Sequence, residues 1–275
     1  MPAPPPPRPA VLTTSTSANG NGLAKGVPEV DYVATRQNRQ IVGQVPLLTK
    51  PYRPPLWGHS GHLQTLVFGI VGRLSLPPLS PERLVFNTVD RSQVSLDIFS
   101  PSGSSPVDVT PIVFVIPGIC NSSESGYVRA FASTVMEAGY RAAVFNHHGT
   151  VLDLPIAAPR LFTFGGIEDV EVAFHYIMAR FPSAPLILVG FSMGANLAIR
   201  LAALDEEIQA RLTCVLSICQ GYDILRANRT FRANPLYDRG MTMGMLKIVK
   251  RHEAYLKKAR PDLDLDRVYK CKLMW

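Results

Sequence analysis

Cysteine is scarce in this sequence, and the spacing of the few cysteines excludes two kinds of stabilising site. Cys120, Cys214, Cys219 and Cys271 form no C-x-x-C pair, and none has histidine or cysteine partners at zinc-ligand spacing. We therefore expect neither structural zinc nor a disulfide framework, and the cysteines fit a reducing compartment. Nothing in the sequence indicates another metal or a cofactor, so we expect none.

Long apolar runs are also absent. No segment approaches the roughly 18 consecutive apolar residues that cross a bilayer. The amino-terminal part also lacks the basic-then-apolar order of a signal peptide. The net charge is +7, yet the basic residues are scattered except between Lys247 and Arg260. Because no binding motif or basic-aromatic interleaving accompanies this charge, we expect no nucleic-acid partner.

The beginning of the chain has almost no large apolar side chains. Residues Met1 to Gly26 are mostly Pro, Ser, Thr, Asn and Gly, which bury too little surface to offset the entropy lost on ordering a backbone. We predict a disordered tail over residues 1–40. A transitional stretch rich in proline follows, and we assign residues 41–82 to an amino-terminal extension.

From residue 83 the pattern becomes regular. Arg83 to Val89 and Val94 to Phe99 alternate apolar and polar residues across a short turn. This alternation is typical of an antiparallel hairpin with one buried face. Short uninterrupted apolar runs predict parallel strands covered on both faces, and they occupy Ile112 to Ile116, Ala142 to Phe145 and Leu186 to Val189.

The segments between these runs have helical spacing. Apolar residues recur every three or four positions from Tyr127 to Ala138 and from Ile167 to Arg180. A hairpin followed by alternating strands and helices predicts an α/β fold with a mostly parallel sheet and an antiparallel edge. Active sites in such sheets lie at the carboxyl ends of the strands.

One predicted strand runs directly into a G-x-S-x-G motif. Residues 190–194 are Gly-Phe-Ser-Met-Gly, and Ala195 to Ala203 continue as good helix formers. Between a buried strand and a helix this motif is typical of a nucleophile elbow, in which serine occupies a strained turn and the glycines let the two backbones approach. The sequence therefore predicts Ser192 as a catalytic nucleophile.

A serine nucleophile also needs backbone donors for the oxyanion of its tetrahedral intermediate. We predict that the Met193 N–H is one of them, because it opens a helix whose dipole favours negative charge. The second donor should follow an earlier strand. Residues 117–119, Pro-Gly-Ile, come directly after Ile112 to Ile116, and we predict the Ile119 N–H. A plain Pro-Gly turn is the alternative interpretation.

Further motifs accompany the elbow in a fixed order along the chain. They are residues 48–50 (Leu-Thr-Lys), 54–58 (Pro-Pro-Leu-Trp-Gly), 60–65 (Ser-Gly-His-Leu-Gln-Thr), 117–124 (Pro-Gly-Ile-Cys-Asn-Ser-Ser-Glu), 146–149 (Asn-His-His-Gly), 159–163 (Pro-Arg-Leu-Phe-Thr) and 219–222 (Cys-Gln-Gly-Tyr). Together they resemble the family of α/β-hydrolase domain-containing proteins, in particular its monoacylglycerol lipase branch. The resemblance runs from about Pro46 to Ala227.

This resemblance implies an α/β-hydrolase fold, with its core over residues 83–220 and the start of a lid followed by a tail over residues 221–275. It implies hydrolysis of lipid esters, especially monoacylglycerols, through an acyl-serine intermediate, and acetyl esters are a further substrate class. Relatives are membrane-associated, which implies peripheral membrane contact for this chain; otherwise we expect it to be cytoplasmic.

The remaining members of the triad are not evident. The order in this fold is Ser, Asp or Glu, then His. We expect that the chain ends before the final strands of the sheet and before the family positions of the acid and histidine. The substitutes available after Ser192 are Asp223 or Asp238 with His252. His252 lies in a helical apolar stripe, which favours a packed side chain.

Three interpretations follow from this gap. The first is a serine hydrolase of medium-chain or long-chain acyl esters. The second is a non-catalytic lipid-binding protein or pseudo-hydrolase, since loss of the triad histidine lowers turnover by about six orders of magnitude. The third is a chain that does not fold stably alone, because its parallel sheet is incomplete.

Overall fold

A computed structural model describes most of the chain as two compact units, Met1–Ile70 and Val71–Trp275. The described residues are 11–14, 30–51, 53–71, 79–88, 90–104 and 109–273. No helix among them has both the length and the apolar composition needed to span a membrane.

The amino-terminal unit contains one strand pair and several short helices. Its elements are β1 (Val11–Thr14), β2 (Val30–Val33), α1 (Arg36–Gln44), α2 (Pro46–Thr49), a 3-10 helix (Leu56–His59) and the start of α3 (Gly61–Val71). The two strands pair in antiparallel register.

The structure corrects the predicted tail. Strand β1 occupies residues 11–14, and strand β2 with the first residues of α1 occupies residues 30–40. The composition had assigned both stretches to the tail. Helix α1 begins in the second of them because the Thr35 hydroxyl accepts a hydrogen bond from the Asn38 N–H at 3.0 Å. Residues 1–10 and 15–29 lie outside the described residues, so the prediction for them stays a prediction.

The second unit holds six strands and eight further helices among its described residues. The strands are β3 (Glu82–Asn87), β4 (Gln93–Phe99), β5 (Ile112–Ile116), β6 (Arg141–Asn146), β7 (Leu186–Phe191) and β8 (Leu212–Ile218). The helices are α4 (Gly126–Glu137), α5 (Glu168–Arg180), α6 (Met193–Leu204), α7 (Glu206–Arg211), α8 (Ile224–Ala233), α9 (Pro235–Arg251), α10 (Glu253–Ala259) and α11 (Leu265–Tyr269).

The strands form one mixed sheet in the order β3-β4-β6-β5-β7-β8. Strands β3 and β4 form the antiparallel hairpin, β4 also pairs with β6 in antiparallel fashion, and the other pairs are parallel. The predicted α/β fold with an antiparallel hairpin is confirmed. Ile116 pairs beside Gly190, and Phe191 beside Ile218, so the loops after β5, β7 and β8 are neighbours.

Strand β5 shows why the sheet is covered on both faces. All five of its side chains are buried. Ile112, Phe114 and Ile116 pack in the cluster with α5 and α6, whereas Val113 and Val115 pack in the cluster with α4. Because side chains alternate between the faces of a strand, an uninterrupted apolar run is what a doubly covered strand requires.

A buried carboxylate ties the hairpin to the loop after β5. Asp97 of β4 is fully buried, and Arg83 of β3 donates two hydrogen bonds to it, each at 2.8 Å. The Ser123 hydroxyl also donates to Asp97, and the Ser123 N–H donates to the side-chain oxygen of Asn146 at 2.7 Å. The loop is therefore held by two neighbouring strands.

The carboxyl-terminal helices contact the loop that follows β6. Three side chains donate hydrogen bonds to carbonyls of this loop. Arg251 donates to Thr150 at 3.1 Å, His252 to Gly149 at 3.0 Å and Tyr255 to Ala157 at 2.6 Å. Side-chain donors thus satisfy backbone acceptors of a loop that has no sheet partner, which fixes the junction of α9 and α10 against the core.

Arg83 pairs with a buried carboxylate and Arg180 with an exposed one, so their removal should affect stability differently. We expect Arg83→Met to lower the free energy of unfolding by about 3 kcal/mol, because it leaves the buried Asp97 charge without its partner. Arg180→Met removes a similar two-bond pair with the half-exposed Glu82 and should cost less than about 1 kcal/mol. Urea unfolding of both variants measures this, and equal losses would contradict the assignment.

Candidate active site

Ser192 lies at the sharp turn between β7 and α6. Its backbone has φ 53° and ψ −115°, a conformation that costs a non-glycine residue about 1–3 kcal/mol. Neighbours hold it there. The Ser192 N–H donates to the Ile218 carbonyl of β8 at 2.9 Å, and the Ser192 carbonyl accepts from the Ala195 N–H at 3.0 Å.

The two glycines of the motif are required by close backbone contacts. A Cβ at Gly194 would lie 2.1 Å from the Ile116 oxygen and 2.5 Å from the Pro117 oxygen. A Cβ at Gly190 would lie 2.3 Å from the Gly194 oxygen. The first turn of α6 therefore packs directly on the end of β5, and this contact presents Ser192 at the edge of the sheet.

Ser192, the predicted nucleophile, is accessible. The Ser192 side chain is exposed, while the next three residues are buried. Its hydroxyl has no hydrogen-bond partner within the described part of the chain. Met193 is the first residue of α6, so its N–H has no carbonyl of a preceding turn to bind. An oxygen bonded to Ser192 can accept from this N–H.

The bend after β5 lies beside Ser192. A Cβ at Gly118 would be 3.4 Å from the Ser192 Cβ and 3.4 Å from the Phe191 carbonyl oxygen. The sequence predicted that residues 117–119 supply the second donor, and the structure places this bend next to Ser192 as that role requires.

Most polar groups of the bend are already bonded. The Pro117 carbonyl accepts from His147 at 2.9 Å, and the Gly118 N–H donates to the Tyr127 hydroxyl at 2.9 Å. The Gly118 and Ile119 carbonyls accept from the backbone and side-chain amides of Asn121, at 3.2 and 2.7 Å. The Ile119 N–H donates to no described residue, so it is available to an oxyanion.

The Cys120 N–H is a second unbonded donor of the bend, and the sequence did not predict it. The φ of Cys120 is 61°, and its N–H also lacks an acceptor among the described residues. Cysteine has no preference for this conformation, so no sequence signal could have found it. Burial raises the pKa of the Cys120 thiol to about 11, so the protonated thiol predominates at neutral pH.

His147, at the carboxyl end of β6, is buried with 3% exposure. Burial lowers its pKa to about 4, although the Pro117 carbonyl and Asp169 partly oppose this shift. Its ring contacts Phe145 and Phe162, with centroids 5.3 and 5.6 Å away. At neutral pH it is therefore an uncharged side chain that donates to the bend, and no hydrogen bond joins it to Ser192.

The acids and the histidine that the sequence offered as partners for Ser192 all have other contacts. Asp223 caps α8, accepting from the Arg226 N–H at 2.9 Å. Asp238 is buried in α9, near the Thr242 hydroxyl at 3.4 Å. His252 Nε2 donates to the Gly149 carbonyl, and burial lowers its pKa. No described residue hydrogen-bonds the Ser192 hydroxyl, so the structure does not bring these side chains to it.

Arg160, in the motif from Pro159 to Thr163, lies beside a cavity and bonds two carboxylates. Arg160 donates to Asp169 at 2.9 and 2.7 Å and also to Asp90, which joins this loop to α5 and to the β3-β4 turn. The cavity has a volume of 610 Å³, within the range of small-molecule sites, and His147 and Phe162 form part of its wall.

One group of side chains in the described chain has the donor types of a metal site. It consists of Glu171, His175 and Asp205. Local contacts account for it: His175 Nε2 lies 2.9 Å from an Asp205 oxygen, and the other Asp205 oxygen caps α7 by accepting from the Ile208 N–H at 2.8 Å. The contact of His175 with Asp205 thus joins α5 to the residue that caps α7.

Comparison with known proteins adds to this geometry. Residues 111–247 match the family profile for the alpha/beta hydrolase fold. Monoacylglycerol lipase ABHD2 of Danio rerio is 37% identical over 246 residues, which cover 86% of this chain and 58% of that protein. Its Homo sapiens counterpart is 34% identical over 254 residues, covering 88% and 60%.

A third relative is Phospholipase ABHD3 of Homo sapiens, which is 30% identical over 165 residues, covering 59% of this chain and 40% of that protein. The chain thus spans less than two thirds of the length of the curated relatives it matches. The resemblance that the motifs indicated is confirmed.

Two glycine substitutions test the elbow contact. We expect Gly194→Ala to lower the free energy of unfolding by about 3 kcal/mol, because its methyl group would overlap the Ile116 carbonyl. Gly240→Ala, in α9 with nothing within 4 Å of the added carbon, should instead raise it by up to about 1 kcal/mol. Urea unfolding compares the two, and a tolerated Gly194→Ala would argue against this packing.

Proposed function

The chain belongs to the α/β-hydrolase family, and from this we propose that it is a serine hydrolase of lipid esters with Ser192 as nucleophile. One observation carries the proposal: the exposed Ser192 hydroxyl stands at a positive-φ turn beside a bend whose Ile119 N–H has no acceptor among the described residues. Ester hydrolysis requires this combination of an accessible oxygen and unused donors.

The proposed reaction proceeds through an acyl-serine. The Ser192 oxygen attacks the ester carbonyl carbon, and its proton passes to a general base. The carbonyl oxygen becomes an oxyanion that accepts hydrogen bonds from the Ile119 and Met193 N–H groups. Collapse of this intermediate breaks the bond to the alcohol, which leaves with the proton. Water then attacks the acyl-serine in the same way and releases the acid.

We infer the substrate class from the relatives. Two are named monoacylglycerol lipases and one a phospholipase, so an acyl ester of glycerol is the shared chemistry. The proposed substrates are monoacylglycerols with medium or long acyl chains, and acetyl esters are a smaller class that the same oxyanion donors would serve.

One observation favours a second candidate function. His147, His148 and His252 each bond a backbone carbonyl, and no described histidine contacts the Ser192 hydroxyl. A serine without a base is a weak nucleophile. The alternative is therefore a lipid-binding protein that keeps the elbow but turns over little substrate.

A fluorophosphonate probe distinguishes the two functions, because it labels serine only when the hydroxyl is activated. The serine-hydrolase function predicts labelling of the chain, detected by gel fluorescence and located by peptide mass spectrometry, and its complete loss in Ser192→Ala. Ser133→Ala is the matched control, since Ser133 lies on α4 and bonds Glu137 at 3.0 Å. Absence of labelling in a cooperatively folded sample would favour the lipid-binding alternative.

We also propose that this chain contacts membranes through α8. Arg226, Arg229 and Arg232 are exposed, and α8 contains no acidic residue. Leu225 on α8 and Tyr222 just before it are 78% and 81% exposed. An amphipathic basic helix with exposed apolar side chains suits an anionic lipid surface. It follows the carboxyl end of β8, beside the strand that leads to Ser192.

Vesicle sedimentation tests this contact. We expect binding to vesicles that contain phosphatidylserine and weaker binding when salt is raised. Replacing the three α8 arginines by glutamine should weaken binding by roughly 100-fold, at about 1 kcal/mol per charge. The same change at Lys257, Lys258 and Arg260 is the control, because Lys257 and Arg260 already pair with Glu253 and Asp262. Equal effects of the two triple variants would refute a specific role for α8.

A further inference from the structure

We propose that His147 and Tyr127 are positioning residues that fix the oxyanion bend from its two sides. The inference rests on the proposed function, since it assigns a role in catalysis to groups that do not touch substrate. Neither side chain was selected by the sequence analysis, and neither contacts Ser192 by a hydrogen bond.

Both side chains act on the same peptide unit. His147 donates to the carbonyl of Pro117, and Tyr127 accepts from the N–H of Gly118. These two groups belong to the single planar peptide between residues 117 and 118. The C=O and the N–H of a trans peptide point in opposite directions. With one bonded to His147 and the other to Tyr127, the peptide plane cannot rotate without breaking a hydrogen bond.

The orientation of this peptide determines where the next N–H points. The following peptide joins Gly118 to Ile119, and its carbonyl is bonded to the Asn121 N–H at 3.2 Å. With both planes fixed, the Ile119 N–H is directed away from the Gly118 carbonyl and remains unbonded. A glycine at position 118 would otherwise give this bend more rotational freedom than any other residue.

The chemical state of His147 suits this task. A carbonyl oxygen can only accept, so His147 Nε2 carries the hydrogen. Its burial favours the neutral ring, so the ring brings no titrating charge to the bend at physiological pH. It sits at the end of β6, one strand from the bend, where the sheet itself fixes its backbone.

Tyr127 is fixed independently on the other face of the sheet. It lies in the first turn of α4, and its ring packs edge-on against Phe191 with centroids 5.3 Å apart. Phe191 immediately precedes Ser192. Burial raises the pKa of Tyr127, so the hydroxyl stays neutral and can accept the Gly118 N–H. The two supports thus come from opposite sides of the sheet.

Four variants test the proposal. We expect His147→Met and Tyr127→Phe to slow fluorophosphonate labelling of Ser192, and kcat on p-nitrophenyl esters, by about 10- to 100-fold with little change in KM. His147→Gln keeps an amide donor near the Nε2 position and should recover most of the rate. His148→Met is the matched control, because His148 is equally buried and bonds the Gln93 carbonyl instead of the bend.

Amide hydrogen exchange separates this proposal from the proposed function. Exchange over residues 117–121 should be faster in His147→Met than in His148→Met, at matched unfolding midpoints. If the parent chain is not labelled at all, the proposed function fails, and the exchange comparison still decides the positioning role. Equal exchange in the two variants would overturn the positioning role. If the parent chain is labelled, the role is also overturned when His147→Met is labelled as fast as His148→Met, or when His147→Gln is labelled as slowly as His147→Met.

Discussion

The candidate site depends on the close packing of the first turn of α6 against the end of β5. Gly194 approaches the carbonyls of Ile116 and Pro117 so closely that no Cβ fits. This contact brings the helix terminus, the serine and the bend after β5 within a few ångströms of one another. The backbone strain at Ser192 is tolerated because the sheet and the helix on either side of it determine its path.

Buried polar side chains then fix the loops that the sheet does not pair. Ser123 is held by Asp97 and Asn146. The bend is held by His147 and Tyr127, and the loop after β6 is held by His252. In each case a buried side chain satisfies a loop backbone group or a hydroxyl that would otherwise be unpaired. His148 likewise bonds the Gln93 carbonyl, so three buried histidines hold backbone groups, although histidine in a sequence first suggests a catalytic base.

Much of the fold followed from sequence pattern. The alternation in β3 and β4, the apolar runs of β5, β6 and β7 and the helical spacing of α4 and α5 correspond to elements whose bounds differ from the predicted ones by at most two residues. Local pattern works here because each element buries a face set by its own periodicity. It failed at residues 11–14 and 30–40, where a short strand pair and a threonine cap give regular structure to a stretch of polar composition.

The sequence alone determined that Ser192 lies at a turn between a strand and a helix, since a G-x-S-x-G motif between an apolar run and a helix is a local signal carried by adjacent residues. Only the tertiary structure decided the surroundings of Ser192. The contacts of His147 with Pro117 and of Tyr127 with Gly118 join residues 30 and 9 positions apart. Such pairs are set by strand order and by which loops meet at the sheet edge, and neither periodicity nor motif spacing contains that information.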